Sequence, residues 1–402
     1  MSDARVTRRL LLAGLGSAAV SALPGCDSAT PRAARQVAAT PAATAGPTSG
    51  GASAGAPVRG EAALRRKIAS LLVVGFRGER ARDAEWVLRA VRDGLGGVIL
   101  FDRELQTDKP RNITSPAQVA ALTKALRDAS PGRRLIVSVD QEGGKVARLN
   151  PGDGFPASQS QAQIGAANST ATTRGWAQGL VHSLTSAGFN LNYAPVADLA
   201  VNPDNPAVAK LGRSFSNQVD VVVKNATEEI QVHRAAGVKT SIKHFPGLGS
   251  ATANTDFAVV DVSDSWTPRE LEPFQRLIAG GVTDSVLVAH LLNRQLDPDL
   301  PASLSRAVVT DLLRGRLGWQ GPTVSDDMQA VAITARFGRD EAVALALEAG
   351  LDLLVFANQQ VYDPNVVDET IDDVVALVRS GRLTEARIDQ SVARVDALRP
   401  RR

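Results

Sequence analysis

Three short blocks of this 402-residue chain combine residue types that do chemistry. The first is Ile242-Lys243-His244-Phe245-Pro246-Gly247-Leu248-Gly249. An apolar run goes straight into a lysine and a histidine, and a packed interior does not accept these without a polar purpose. Pro246 and two glycines then open a loop that continues to Asn254-Thr255-Asp256. The second is Val324-Ser325-Asp326-Asp327-Met328. A carboxylate at the end of a rigid strand can attack an anomeric carbon in a covalent, configuration-retaining displacement. One of the two aspartates can instead cap the helix that follows. The third is Asp140-Gln141-Glu142-Gly143-Gly144-Lys145-Val146-Ala147-Arg148. Paired glycines allow a tight turn, while Asp140 and Arg148 supply an acceptor and a forked donor suited to sugar hydroxyls or a carboxylate. Leu211-Gly212-Arg213-Ser214-Phe215 offers a second guanidinium in a loop.

The elements needed to position these blocks repeat along the chain. Eight strands are expected at Leu71–Phe76, Gly97–Phe101, Leu135–Asp140, Phe189–Leu199, Val238–Phe245, Ser285–His290, Gly321–Asp326 and Leu351–Phe356. Several are near-continuous apolar runs, as strands covered on both faces should be. Helical patterns lie between or after them at Thr114–Ala129, Glu228–Ala236, Arg306–Leu317, Asp340–Ala349, Asp363–Arg379 and Thr384–Leu398. The fold class is therefore α/β, and the expected architecture is a single (β/α)₈ barrel over residues 61–402. A doubly wound open sheet is the alternative. The barrel is favoured because Asp140, Asp198, Lys243-His244, His290 and Asp326-Asp327 all fall where strands end, and a barrel gathers such ends on one rim.

The N-terminus has a different character. Arg5, Arg8 and Arg9 precede an apolar run, Leu10 to Leu23, that is shorter than the roughly 20 residues a bilayer span requires. Residues 1–25 are expected to be a signal peptide. Leu23-Pro24-Gly25-Cys26 resembles a bacterial lipobox, which would place a lipid on Cys26 and anchor the chain to the outer face of the cytoplasmic membrane. Residues 26–60, rich in Ala, Thr, Pro, Gly and Ser, are expected to be a flexible tether. Cys26 is the one cysteine of the chain, which excludes an intrachain disulfide and a multi-cysteine metal site. A net charge of +3 and 4% aromatic residues give no basis for nucleic-acid binding. The chain is expected to act as a monomer.

The blocks together resemble glycoside hydrolase family 3, in particular its single-domain bacterial β-N-acetylglucosaminidases. The resemblance runs from about Leu64 to Val395. It includes Gly96-Gly97-Val98-Ile99-Leu100-Phe101, Asn192-Tyr193-Ala194-Pro195-Val196-Ala197-Asp198, Val288-Ala289-His290 and Pro301-Ala302-Ser303-Leu304-Ser305. It implies that Asp326 is the nucleophile, and that Asp140, Arg148, Arg213, Lys243 and His244 bind the sugar in subsite −1, with His290 as a further substrate-binding candidate. It implies no metal and no organic cofactor. The implied reaction releases terminal β-linked N-acetylglucosamine from peptidoglycan fragments or chitobiosides. A β-glucosidase or β-xylosidase of the same family, or a weakly active sugar-binding lipoprotein, are the alternatives.

The pattern breaks at one place. The family loop reads Lys-His-Phe-Pro-Gly-His-Gly and then Asp-Ser-His, whose last histidine is the general acid/base. This chain has Leu248 at the first of those histidines, Asn254 at the aspartate and Asp256 at the catalytic histidine. Either Asp256 is the acid/base, or another residue supplies the proton, or the protein binds sugar and turns it over feebly. The first reading is preferred, because a carboxylic acid is the usual choice in glycosidases and a closing loop can raise its pKa.

Overall fold

The computed structural model describes residues 60–401, and the expected signal peptide, Cys26 and nearly all of the tether lie outside the described residues. The parallel strands are β1 Leu72–Val74, β2 Gly97–Ile99, β3 Ile136–Val139, β4 Leu191–Asn192, β5 in two pieces (Lys239–Thr240 and Ile242–Phe245), β6 Val286–Val288, β7 Thr323–Asp327 and β8 Leu353–Phe356. The first piece of β5 pairs with β4 and the second with β6, on either side of Ser241. The two ends of the strand order thus belong to one interrupted strand, and the sheet closes on itself as a (β/α)₈ barrel. A bridge between Val196 and Lys243 continues the β4–β5 seam towards the C-terminal rim.

Burial explains why these segments are strands. All four residues of β3 and of β8 are buried, since each strand packs helices outside and barrel interior inside. The helices read from periodicity are present with sharper ends. Pro116–Ala129 begins at Ser115, whose hydroxyl accepts from the Gln118 N–H. Glu385–Val395 begins in the same way at Thr384.

Three expected elements differ. The fourth strand was expected over Phe189–Leu199, but its regular part is Leu191–Asn192. Pro195 lacks an N–H, and the chain beyond Asn192 bonds through separate contacts such as Ala197 N to Lys243 O at 2.7 Å. The helix expected from Glu228 starts nine residues earlier and spans Val219–Ala235. Arg306–Leu317 is realised as Ala307–Arg316, wound with the wider i→i+5 bonding of a π-helix.

One buried cation locks the rim on the β1–β8 side. Arg111 donates from Nε to Phe76 O at 2.8 Å, from Nη1 to Asn358 O at 3.0 Å and from Nη2 to Ala357 O at 3.0 Å. It holds the carbonyls just beyond β1 and β8 in fixed positions, beside the end of β7.

Candidate active site

The C-terminal rim gathers one continuous ionic network. Lys243 Nζ, on β5, lies 2.6 Å from Asp140 Oδ1 and 2.6 Å from Glu142 Oε1. Arg213 reaches the same Glu142 with a two-pronged fork, Nε to Oε2 and Nη2 to Oε1, each at 2.7 Å. Its Nη1 donates to Ala207 O at 2.7 Å. Its Nη2 also approaches His244 Nε2 at 3.2 Å. On the far side of the ring, His244 Nδ1 donates to Asp198 Oδ2 at 2.6 Å. Asp198 is fully buried and also accepts from the backbone N–H of His244 and of Leu248. The network therefore runs Asp140–Lys243–Glu142–Arg213–His244–Asp198 around the rim.

Burial alone would push the Glu142 carboxyl up, but Arg213 and Lys243 outweigh it and hold Glu142 far below the usual carboxylate range. Burial likewise works against the charge on Lys243, and Asp140 and Glu142 reverse this and raise its pKa. The cations are thus fixed as cations. Two of the three ammonium protons of Lys243 go to Asp140 and Glu142, and four of the five guanidinium protons of Arg213 are engaged. One donor remains on each, together with Asp140 Oδ2, and this set suits sugar hydroxyls. Replacing Arg213 by Ala leaves the buried Glu142 with only one cation. The expected cost is about 3 kcal/mol of stability, read as a lower midpoint in urea denaturation. An unchanged midpoint would show that Glu142 does not depend on the fork.

Asp326 and Asp327 end β7, and the structure gives them different surroundings. Asp327 is buried, and its Oδ1 accepts from Gln329 N at 3.1 Å and Ala357 N at 2.9 Å. It ties the turn after β7 to β8, and burial pushes its pKa up to about 7. Asp326 is partly exposed between two buried neighbours. Among the described residues, its one side-chain hydrogen bond is at Oδ1, which accepts from Asp327 N at 3.0 Å. It is the member of the pair that a ligand can reach.

Asp256 comes to the same site on the β5 loop. The loop root is tight: a Cβ on Gly249 would lie 1.8 Å from Leu199 O, so only glycine fits there. Leu248 is buried, with its side chain in the core. Further along, Asn254 Oδ1 accepts from Asp256 N at 3.0 Å and shapes the turn. Val331 N and Ala332 N donate to the carbonyls of Asp256 and Thr255, each at 3.2 Å, and pin the loop over the end of β7. Loss of water around the Asp256 carboxyl and the nearby charge of Asp326 push its pKa up to about 6. Arg213, Asn254 and His244 pull the other way without cancelling the rise.

Two of the expected sugar ligands stand apart from this cluster. Arg148 is a third exposed, with its guanidinium 5.4 Å from the Phe101 ring centroid and Nη1 3.8 Å from Asp102 Oδ1. It lines the mouth. His290 is buried, with Nδ1 2.6 Å from Ser303 Oγ and Nε2 2.9 Å from Asp327 O. Both ring nitrogens are used inside the protein, so it braces the Asp326-Asp327 segment from behind and has no atom free for a ligand. Glu142 is the residue whose importance the sequence did not disclose, and Asp198, read there only as a rim residue at a strand end, is the partner that holds His244. A signal existed for Glu142: Lys243 and Arg213 needed a second buried carboxylate besides Asp140. Among the described residues, no group of three or more His, Cys, Asp or Glu is arranged to hold a metal ion.

A parallel barrel with a reachable strand-end aspartate, a second carboxyl of raised pKa on the loop tied to the turn after that strand, and a network of sugar-type donors defines a carbohydrate-active (β/α)₈ enzyme. The description "Glycosyl hydrolase family 3 N terminal domain" fits residues 63–398, and the chain belongs to that family. It is 33% identical over 317 residues to a β-hexosaminidase of Xylella fastidiosa, covering 76% of this chain and 87% of that one. It is 28% identical over 330 residues to β-hexosaminidase A of Pseudoalteromonas piscicida, covering 77% of this chain and 54% of that one. A glycoside hydrolase family 3 β-N-acetylglucosaminidase from Paenibacillus sp. str. FPU-7 superposes with a TM-score of 0.75 at 34% identity, covering 83% of this chain and 62% of that one. The chain thus spans little more than half the length of the Pseudoalteromonas protein.

Proposed function

We propose that the chain is a retaining β-N-acetylglucosaminidase that releases a terminal β-linked N-acetylglucosamine. The observation that carries this reading is the pairing of a reachable Asp326 with a nearby Asp256 of raised pKa, above the Lys243–Glu142–Arg213 network. A reachable carboxylate as nucleophile and a second carboxyl that can give and take a proton are what double displacement at an anomeric carbon requires.

In the first step the sugar ring is held by Asp140, Lys243 and Arg213, with Arg148 at the mouth and His244 fixing Arg213. Asp326 attacks the anomeric carbon while Asp256 gives its proton to the glycosidic oxygen, and the leaving alcohol departs. In the second step Asp256, now ionised, takes a proton from water, and that water displaces Asp326 from the anomeric carbon. Configuration is retained because two inversions occur. His290 is a positioning residue in this scheme. The names of the relatives support N-acetylglucosamine as the sugar, and residues 61–402 serve as one catalytic domain.

The finer assignments belong to the same reading. Export, acylation of Cys26 and a tether over residues 26–60 would hold the enzyme outside the cytoplasmic membrane, facing N-acetylglucosamine-containing cell-wall fragments. The test compares nitrophenyl β-N-acetylglucosaminide with nitrophenyl β-glucoside and follows the released anomer by NMR. Preference for the acetamido sugar with the β-anomer appearing first is the expected result. Equal or faster cleavage of the glucoside, or first release of the α-anomer, contradicts it.

A further inference from the structure

The C-terminal rim carries exposed apolar side chains that the chemistry described above does not use. Among the described residues, the exposed large hydrophobic side chains are Leu105 at 47%, Phe257 at 58%, Val259 at 41% and Val361 at 52%. All four lie in loops that follow strand C-termini, after β2, β5 and β8. Phe257 is the most exposed of them and the one aromatic ring in the set. Its ring packs on no other ring among the described residues. Its backbone is nonetheless held: Phe257 N donates to Asn254 O at 3.1 Å, and the preceding carbonyl accepts from Val331 N. The ring is therefore presented to solvent from a fixed turn.

Its position in the chain gives that presentation a meaning. An acid/base carboxyl must reach the glycosidic oxygen, the atom that joins the bound sugar to its leaving group. Phe257 follows Asp256 directly, on a turn held by Val331 N, so it is the exposed apolar side chain next in the chain to the carboxyl that must reach the leaving oxygen. An exposed aromatic face there offers an apolar platform about the size of a pyranose ring, whose C–H face is the part of a sugar that gains from leaving water. We propose that Phe257 is the platform of the leaving-group subsite and stacks on the pyranose ring of the departing sugar. The assignment rests on Asp256 as the acid/base. It makes the preferred substrate a disaccharide or longer fragment with a hexopyranose leaving group.

The test measures kcat/KM for wild type, Phe257→Ala and Phe257→Tyr on two substrates. One is N,N′-diacetylchitobiose, whose leaving group is a sugar. The other is β-N-acetylglucosaminyl fluoride, whose leaving group is a single atom. The ratio of the disaccharide value to the fluoride value is expected to fall about tenfold in Phe257→Ala, equivalent to about 1.4 kcal/mol, and to recover in Phe257→Tyr. An unchanged ratio overturns the platform. An equal loss on both substrates also overturns it, because that reports a distorted loop. A wild type inert towards the fluoride overturns the reading of the sugar site and the platform with it. A wild type active on both, with an unchanged ratio in the variant, sinks the platform alone.

Discussion

Asp326→Asn will lower turnover by about four orders of magnitude or more while leaving the fold intact. The expected size follows from the role: removing a nucleophile removes the covalent step, and the remaining groups only bind and orient. The fold should survive because Asp326 makes one local bond, from Asp327 N, which an asparagine oxygen can also accept. Neighbouring Asp327 offers the contrast. Its Oδ1 holds the turn after β7 to β8, so its replacement should lower stability as well as activity. Kinetics beside thermal unfolding separates the two. Near-wild-type turnover in Asp326→Asn would remove it from the mechanism.

Asp256→Ala should be the second large effect, a fall in kcat of about 10²–10⁴-fold on substrates with a poor leaving group. Small anions should restore part of that loss, since azide can enter the space left by the carboxyl and attack the glycosyl-enzyme without base help. The pH profile adds a sign. Burial and the charge of Asp326 raise the pKa of Asp256 to about 6, so the acid form predominates below that value and is lost as pH rises through it. The kcat/KM of wild type should therefore decline above about pH 6, and that limb should vanish in Asp256→Ala. A limb that persists in the variant assigns the proton to another group.

Much of the fold is legible in the sequence. The eight strands are visible because both faces of a parallel barrel strand are buried, which writes runs such as Leu353–Phe356 into the sequence. The rim residues are visible because Lys243 and His244 interrupt such a run. Strand ends were less legible. Beyond Asn192 the backbone satisfies its bonds through single contacts around Pro195 that no periodicity announces. The early start of the Val219–Ala235 helix was hidden by Val221, Val222 and Val223, a β-branched run that propensity alone assigns elsewhere.

The site was legible as a set of residues and less so as a network. Glu142 sits between Lys243 and Arg213, an arrangement set by strand β5 and two rim segments converging at one point, and local sequence does not encode convergence. His290 shows the converse. A histidine at a strand end is chemically able to touch a ligand, yet Ser303 and Asp327 use both its nitrogens. Asp256 lies between these cases. Its place in the loop was readable by counting from Lys243, while its raised pKa depends on the loop being held over β7 by Val331 and Ala332.

The loop of Lys243 to Asp256 and the end of β7 meet in one covalent intermediate, which can be weighed directly. Asp256→Ala is mixed with dinitrophenyl β-N-acetylglucosaminide, a substrate whose leaving group needs no proton, and the intact protein and its peptides are examined by mass spectrometry. With the base missing, breakdown of the intermediate is slow. A single N-acetylglucosaminyl group should accumulate on the peptide that contains Asp326 and be released by azide. A burst of dinitrophenolate with no adduct on that peptide, or an adduct on any other residue, would contradict the mechanism.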